Sequence, residues 1–135
     1  MTIGNLRPAT VLIDETAILH NVQHEVARLK KQTQLFAVVK ADAYGHGMLR
    51  VAHVAKAAGA SGFCVALLDE ALDLRAANYT EPVLVLGIVP SQYAAIAAAQ
   101  TVSLPLSRMI LAFSSVNESP VVVFFKPTAA AISPA

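Results

Sequence analysis

Residues 38–47, Val38-Val39-Lys40-Ala41-Asp42-Ala43-Tyr44-Gly45-His46-Gly47, decide how the chain is read. The run at 35–39 that leads into them is short, branched and apolar without alternation, the pattern of a parallel strand covered on both faces. It stops abruptly at Lys40, so a lysine stands at the carboxyl end of a buried strand. The polar segment 42–47 then turns the chain, with Gly45 and Gly47 supplying positive-φ freedom. Met48, Val51, Ala52, Ala55 and Ala58 follow at helical spacing, and Gly59 provides the stop.

The same strand–turn–helix grammar extends in both directions. Upstream, residues 14–31 carry Ile18, Val22, Val26 and Leu29 on one helical stripe, with Asp14 as N-cap and Arg28 and Lys31 at the electronegative end. Downstream, 63–67 reads as strand and 69–77 as a helix capped by Asp69, with Asn78 taking the left-handed conformation at its end. A third round places a strand at 83–86, a turn at 87–90, Ser91 as N-cap of a helix at 93–99, and a further strand near 102–104. This alternation with short connections predicts right-handed βαβ crossovers and a parallel sheet, an α/β fold. Past Pro105 the grammar breaks down among Pro120, Pro127 and Pro134. There, 121–125 reads either as an edge strand or as an aggregation-prone segment.

Composition narrows the class. With 56% hydrophobic residues, 14% charged and a mean hydropathy of +0.57, the 135-residue chain is one domain at most and not a disordered one. A formal net charge of +1, from 10 Lys+Arg against 9 Asp+Glu, argues against a nucleic-acid partner. The densest apolar stretches, 82–90 and 121–125, fall short of the ~20 residues a membrane-spanning helix needs. Arg7 and Pro8 interrupt what an export signal would keep apolar, so the expected compartment is the cytoplasm. The single cysteine, Cys64, fits a reducing compartment and reads as a small buried apolar residue of a strand.

Lys40 is the residue with chemistry to offer. A lysine emerging from a buried strand is desolvated, which disfavours the ammonium form and leaves an amine reactive toward carbonyls. Lysines that hold pyridoxal phosphate are made in this way, although taken alone such a lysine is equally a side chain snorkelling to water. The ten-residue stretch around it closely resembles the cofactor-lysine signature of alanine racemases, pyridoxal-phosphate enzymes that interconvert L- and D-alanine. Arg7 and Pro8 before a strand resemble the family's start. The stretch 62–66 followed by Asp69, Glu70 and Ala71 resembles its second βα unit, and 82–87 its third strand. The resemblance spans residues 1–105 and is absent from the tail, 106–135.

The resemblance implies the N-terminal half of a pyridoxal-phosphate-binding (β/α)8 TIM-type barrel, incomplete here because a full barrel takes roughly 250 residues. It implies that Lys40 holds the cofactor through its amine and, once displaced by substrate, shuttles a proton at one face of the substrate α-carbon. It implies that Tyr44 directs its hydroxyl at the cofactor phosphate, while His46 either packs the loop or supports these residues from behind. The substrate would be alanine and the product D-alanine for cell-wall precursors. The full-length family enzyme is expected to be a homodimer whose second acid–base group, a tyrosine, comes from the partner's C-terminal domain. No counterpart of that tyrosine is identifiable in this sequence. Loss of pattern and resemblance at one point suggests a fragment of a longer gene or a shifted reading frame. A half-barrel exposes strand edges, so the chain alone is expected to bind cofactor weakly and turn over poorly. The alternative function is a non-catalytic or degenerate pyridoxal-phosphate-binding fragment.

Other constellations carry less. His20 and His24 have the i, i+4 spacing of a helical metal pair, but Asn21 stands where a zincin has Glu and no third ligand is evident. They read as a solvated face, so no metal is expected. Asp69 and Glu70 read as helix-opening acids rather than an acid–base pair. No phosphate-binding glycine loop of the Walker or dinucleotide type is present.

Overall fold

A computed structural model describes residues 9–31 and 33–104, together with the backbone of two strands at 122–125 and 130–134. The family-like start at Arg7 and Pro8, and the rest of the tail past Leu104, lie outside the described residues. In chain order the elements are β1 (Ala9–Ile13), α1 (Glu15–Arg28), β2 (Gln34–Val38), a short helical segment α2 (Lys40–Gly45), α3 (Met48–Ala57), β3 (Gly62–Val65), α4 (Leu68–Ala76) and β4 (Val83–Val85). They continue with a 3₁₀ turn (Ser91–Tyr93), α5 (Ala94–Ala99), β5 (Val102–Ser103), β6 (Val122–Phe125) and β7 (Ala130–Pro134).

Five strands form one sheet in the order β5-β4-β3-β2-β6, every neighbouring pair parallel. The expected α/β alternation and parallel sheet are therefore present. Both faces carry buried apolar residues, in keeping with the unbroken apolar runs. Leu35, Ala37, Phe63, Val65, Val83 and Val85 meet the helices, where Ile18, Val22, Val51, Ala55 and Leu74 complete the main core. Phe36, Val38 and Cys64 pack on the opposite face with Leu84. Each fully buried Val, Leu, Ile or Phe contributes roughly 1.5–3 kcal/mol, and helices as short as these depend on that packing. Gly62 opens β3 because a Cβ there would lie 2.5 Å from the Phe36 ring and 2.6 Å from the Pro82 carbonyl oxygen.

Local signals perform as physics predicts where they are strong. The Asp14 side chain accepts from Ala17 N–H at 3.0 Å, Asn78 takes φ 65°, and Gly59 follows α3 with φ 104°. Two caps are corrected. Leu67, not Asp69, holds the N-cap position of α4, and Asp69 sits inside its first turn. Ser91 opens the 3₁₀ turn rather than capping α5, whose N-cap is Tyr93.

The stretch at 121–125 resolves in favour of the edge strand. β6 runs parallel to β2, with Gln34 opposite Val122 and Ala37 opposite Phe125, and so covers the edge of the strand that precedes Lys40. β7 pairs antiparallel with β1 in a separate two-stranded sheet. Neither pairing was foreseeable, because partners so far apart in sequence leave no local signature.

Candidate active site at the carboxyl end of the sheet

Lys40 follows β2 by two residues, half-buried at the carboxyl edge of a parallel sheet, the edge where α/β folds place their ligands. Val39 beside it is fully buried, and its N–H donates to the Cys64 carbonyl at 2.9 Å, which extends the β2–β3 ladder to the residue before the lysine.

The chain then does something the sequence reading missed. Ala41, Asp42, Ala43 and Tyr44 all have positive φ, at 50°, 53°, 53° and 59°, so α2 contains a turn of left-handed helix built from residues with side chains. Each such residue costs roughly 1–2 kcal/mol relative to right-handed winding, so about 4–8 kcal/mol must be offset nearby. Gly45 and Gly47 follow at φ 87° and 92°, as expected.

The compensation is visible. Ala43 is fully buried, and its N–H donates to the Val39 carbonyl at 2.8 Å. Gly47 N–H donates to the Asp42 carbonyl at 2.9 Å, while the Asp42 carboxylate accepts from Met48 N–H at 2.7 Å and so caps α3. His46 Nδ1 donates to the Ala43 carbonyl at 2.9 Å, which leaves Nε2 buried without a hydrogen-bond partner among the described residues. His46 thus packs the loop, one of the two roles open to it. At the entry to the turn, Ala41 N–H donates to Glu70 Oε1 at 2.6 Å.

One helical turn separates Lys40 from Tyr44, and the left-handed winding brings them together: the lysine Nζ lies 6.0 Å from the centroid of the tyrosine ring. A Cβ on Gly45 would meet nothing within 4 Å, so the space beside the turn is open. An amine, a phenol and an open approach along a glycine-bearing turn suit a small molecule carrying both a carbonyl and an anionic group.

The remaining groups are spoken for. Cys64 is fully buried, and burial pushes its thiol up to about 12, so it is inert. His20 and His24 are exposed, and no cluster of three metal-ligating side chains occurs among the described residues. At the amino end of the sheet, Arg75 donates to the carbonyls of Gln100, Tyr79, Glu81 and Thr101 at 2.8–3.1 Å. A cleft of about 370 Å³ opens there between Arg75, Asn78, Thr80 and Gln100, but its one cation is consumed by those carbonyls. Nearby Lys56 pairs with Glu81. Burial is the largest single influence and opposes ionisation of that carboxyl, but the hydrogen bond and charge of Lys56 together with backbone N–H donors outweigh it and hold Glu81 below its usual range.

Residues 13–118 match the family model described as alanine racemase, N-terminal domain. The chain is 90% identical over 107 residues to the alanine racemase of Lacticaseibacillus casei, an alignment covering 79% of this chain and 28% of that protein. Among solved structures, alanine racemase from E. faecalis superimposes with a TM-score of 0.75 at 42% identity, over 87% of this chain and 32% of its own. Histidine racemase from Leuconostoc mesenteroides follows with a TM-score of 0.63 at 34% identity, over 75% of this chain and 27% of its own. The chain thus spans a little over a quarter of the curated relative's length.

Proposed function

We propose, from the premise that this chain belongs to the alanine racemase family through its N-terminal domain, that it carries the cofactor-lysine portion of a pyridoxal-phosphate-dependent alanine racemase, a cytoplasmic isomerase supplying D-alanine for the cell wall. The observation that carries the reading is the left-handed turn, which sets Lys40 beside Tyr44 at the carboxyl end of β2. In this reading residues 1–105 form the barrel portion and 106–135 a divergent tail that nonetheless lends β6 to the same sheet.

The residues present fit the cofactor. The Lys40 amine is the group to attach to its aldehyde carbon, and the Tyr44 hydroxyl the group to donate a hydrogen bond to its phosphate. Pyridoxal phosphate, when bound, supplies an electron sink that stabilises negative charge on the carbon next to the substrate carboxylate. With the cofactor bound, the Lys40 amine would be the group to take a proton from, or return it to, one face of that α-carbon. Its neighbours hold it in place, since Val39 is locked to β3 and the turn is closed by Asp42. Racemisation also needs an acid–base group on the opposite face, and no described residue is assigned that role. In the family reading it comes from a partner subunit's tyrosine, in a homodimer of full-length chains.

A second reading, a pyridoxal-phosphate-binding chain without turnover, is favoured by the open five-stranded sheet of the described residues. One experiment separates the two. The 135-residue chain is incubated with pyridoxal phosphate, reduced with borohydride and peptide-mapped, and D-alanine formation is assayed in parallel, with L-histidine as competing substrate. Label on Lys40 with D-alanine formed supports the racemase. Label on Lys40 without turnover supports the binder, D-histidine in place of D-alanine moves the substrate assignment, and absence of label on Lys40 removes both readings.

A further inference from the structure

We infer that Glu70 is a positioning residue for Lys40, coupling the left-handed turn after β2 to the start of α4. Its carboxylate accepts three backbone N–H groups: Ala41 on Oε1 at 2.6 Å, and Ala66 and Leu67 on Oε2 at 2.7 and 3.0 Å. The Leu67 contact is what an acid three residues past an N-cap does for its own helix, and Ala66 lies one residue before that cap. The Ala41 contact is of another kind, because Ala41 lies 29 residues away in sequence, on a different strand–helix connection.

Ala41 is the residue immediately after Lys40 and the first of the four left-handed residues. The opening N–H groups of a helical turn of either hand have no acceptor within the turn, so they need one from outside. Glu70 supplies it. Lys40 is therefore flanked by two backbone anchors, Val39 N–H on the Cys64 carbonyl and Ala41 N–H on Glu70, and both anchors belong to the β3–α4 unit. The backbone on both sides of Lys40 is thus held by that unit as well as by its own loop.

Both carboxylate oxygens are engaged, so an amide cannot replace the group. A Gln side chain keeps one acceptor oxygen and turns an NH₂ donor toward an N–H. Asp69, exposed on the preceding residue, has the same charge and helix position to within one residue but does not accept from Ala41. It provides the control.

The inference rests on the reading of Lys40 as the cofactor lysine only for its chemical consequence. The test compares the full chain with Glu70→Gln, Glu70→Ala and Asp69→Asn variants by two readouts. One is residue-resolved amide exchange. The other is borohydride-trapped pyridoxal phosphate on Lys40 relative to the exposed Lys30 and Lys31 of the same chain. Loss of a charge-assisted bond should speed exchange at Ala41 on the order of ten- to a hundredfold in both Glu70 variants. The preference for Lys40 should then fall to that of Lys30 and Lys31. Asp69→Asn should leave both readouts as they are. Unchanged exchange at Ala41 overturns the inference. So does a Glu70→Gln chain that keeps its Lys40 preference, or exchange that rises evenly through β3 and α4. If the unaltered chain shows no preference for Lys40, the functional reading fails, and exchange at Ala41 alone decides the role of Glu70.

Discussion

The two ends of the parallel sheet are built on opposite principles. At the amino end Arg75 satisfies four carbonyls, Lys56 pairs with Glu81, and Tyr79 packs edge-on to Phe63 with ring centroids 5.4 Å apart while donating to the Leu49 carbonyl. At the carboxyl end four consecutive residues are wound left-handed, Lys40 and Tyr44 reach toward solvent, and Leu67, Leu86 and Ile88 stand exposed. One end spends its polar groups on holding the fold. The other stores backbone strain beside its lysine and tyrosine, the division expected where function lies at the carboxyl ends of barrel strands.

Substitutions should respond accordingly. The largest effect is expected from Arg75→Ala, which strips four carbonyls of their donor and should lower unfolding free energy by about 2 kcal/mol in urea titration. Cofactor trapping on Lys40 should survive in the folded fraction. Loss of trapping at urea concentrations well below the unfolding midpoint would mean that the two ends are not separable.

Alanine-to-glycine exchanges should change sign between the ends. Ala41→Gly relieves a left-handed residue and should stabilise the chain by up to about 1 kcal/mol. Ala27→Gly, on the exposed side of α1, should destabilise it by about 0.5–1 kcal/mol. Equal destabilisation by both would show that the turn is not strained.

The smallest effect is in pH. Because Glu81 is held below its ordinary value of 4.5 when folded, its contribution is complete above that value and is lost as pH falls through the lower, folded one. With Lys56 half-exposed the contribution should stay under about 1 kcal/mol. Glu81→Gln should lower stability by that amount at neutral pH and flatten the profile below pH 4.5, so that the two proteins converge in acid urea titrations.

Much of this architecture is legible in residue patterns. The stripe of α1 with Asp14 ahead of it, the apolar run ending at Lys40, and Asn78 and Gly59 closing their helices all follow from local energetics. What escapes is non-local. Alanine has no preference for left-handed winding, so nothing in Ala41 or Ala43 announces the turn; burial of Ala43, the hydrogen bonds that close the loop and the one from distant Glu70 impose it. Glu70 is legible as a helix-opening acid but not as the partner of Ala41, and β6 is legible as a strand but not as the neighbour of β2. Lys40 and Tyr44 stand out through the ten-residue motif, whereas their proximity is a property of the fold.

The central claim is that the amine of Lys40, presented by a left-handed turn beside Tyr44, is where the chain takes up pyridoxal phosphate. Spectrophotometric titration of the purified chain and its Lys40→Arg variant with pyridoxal phosphate tests it most directly. The unaltered chain should develop a saturable protein-linked absorbance that borohydride makes permanent, and the variant, equally folded, should develop none. An identical absorbance in the variant would contradict the account.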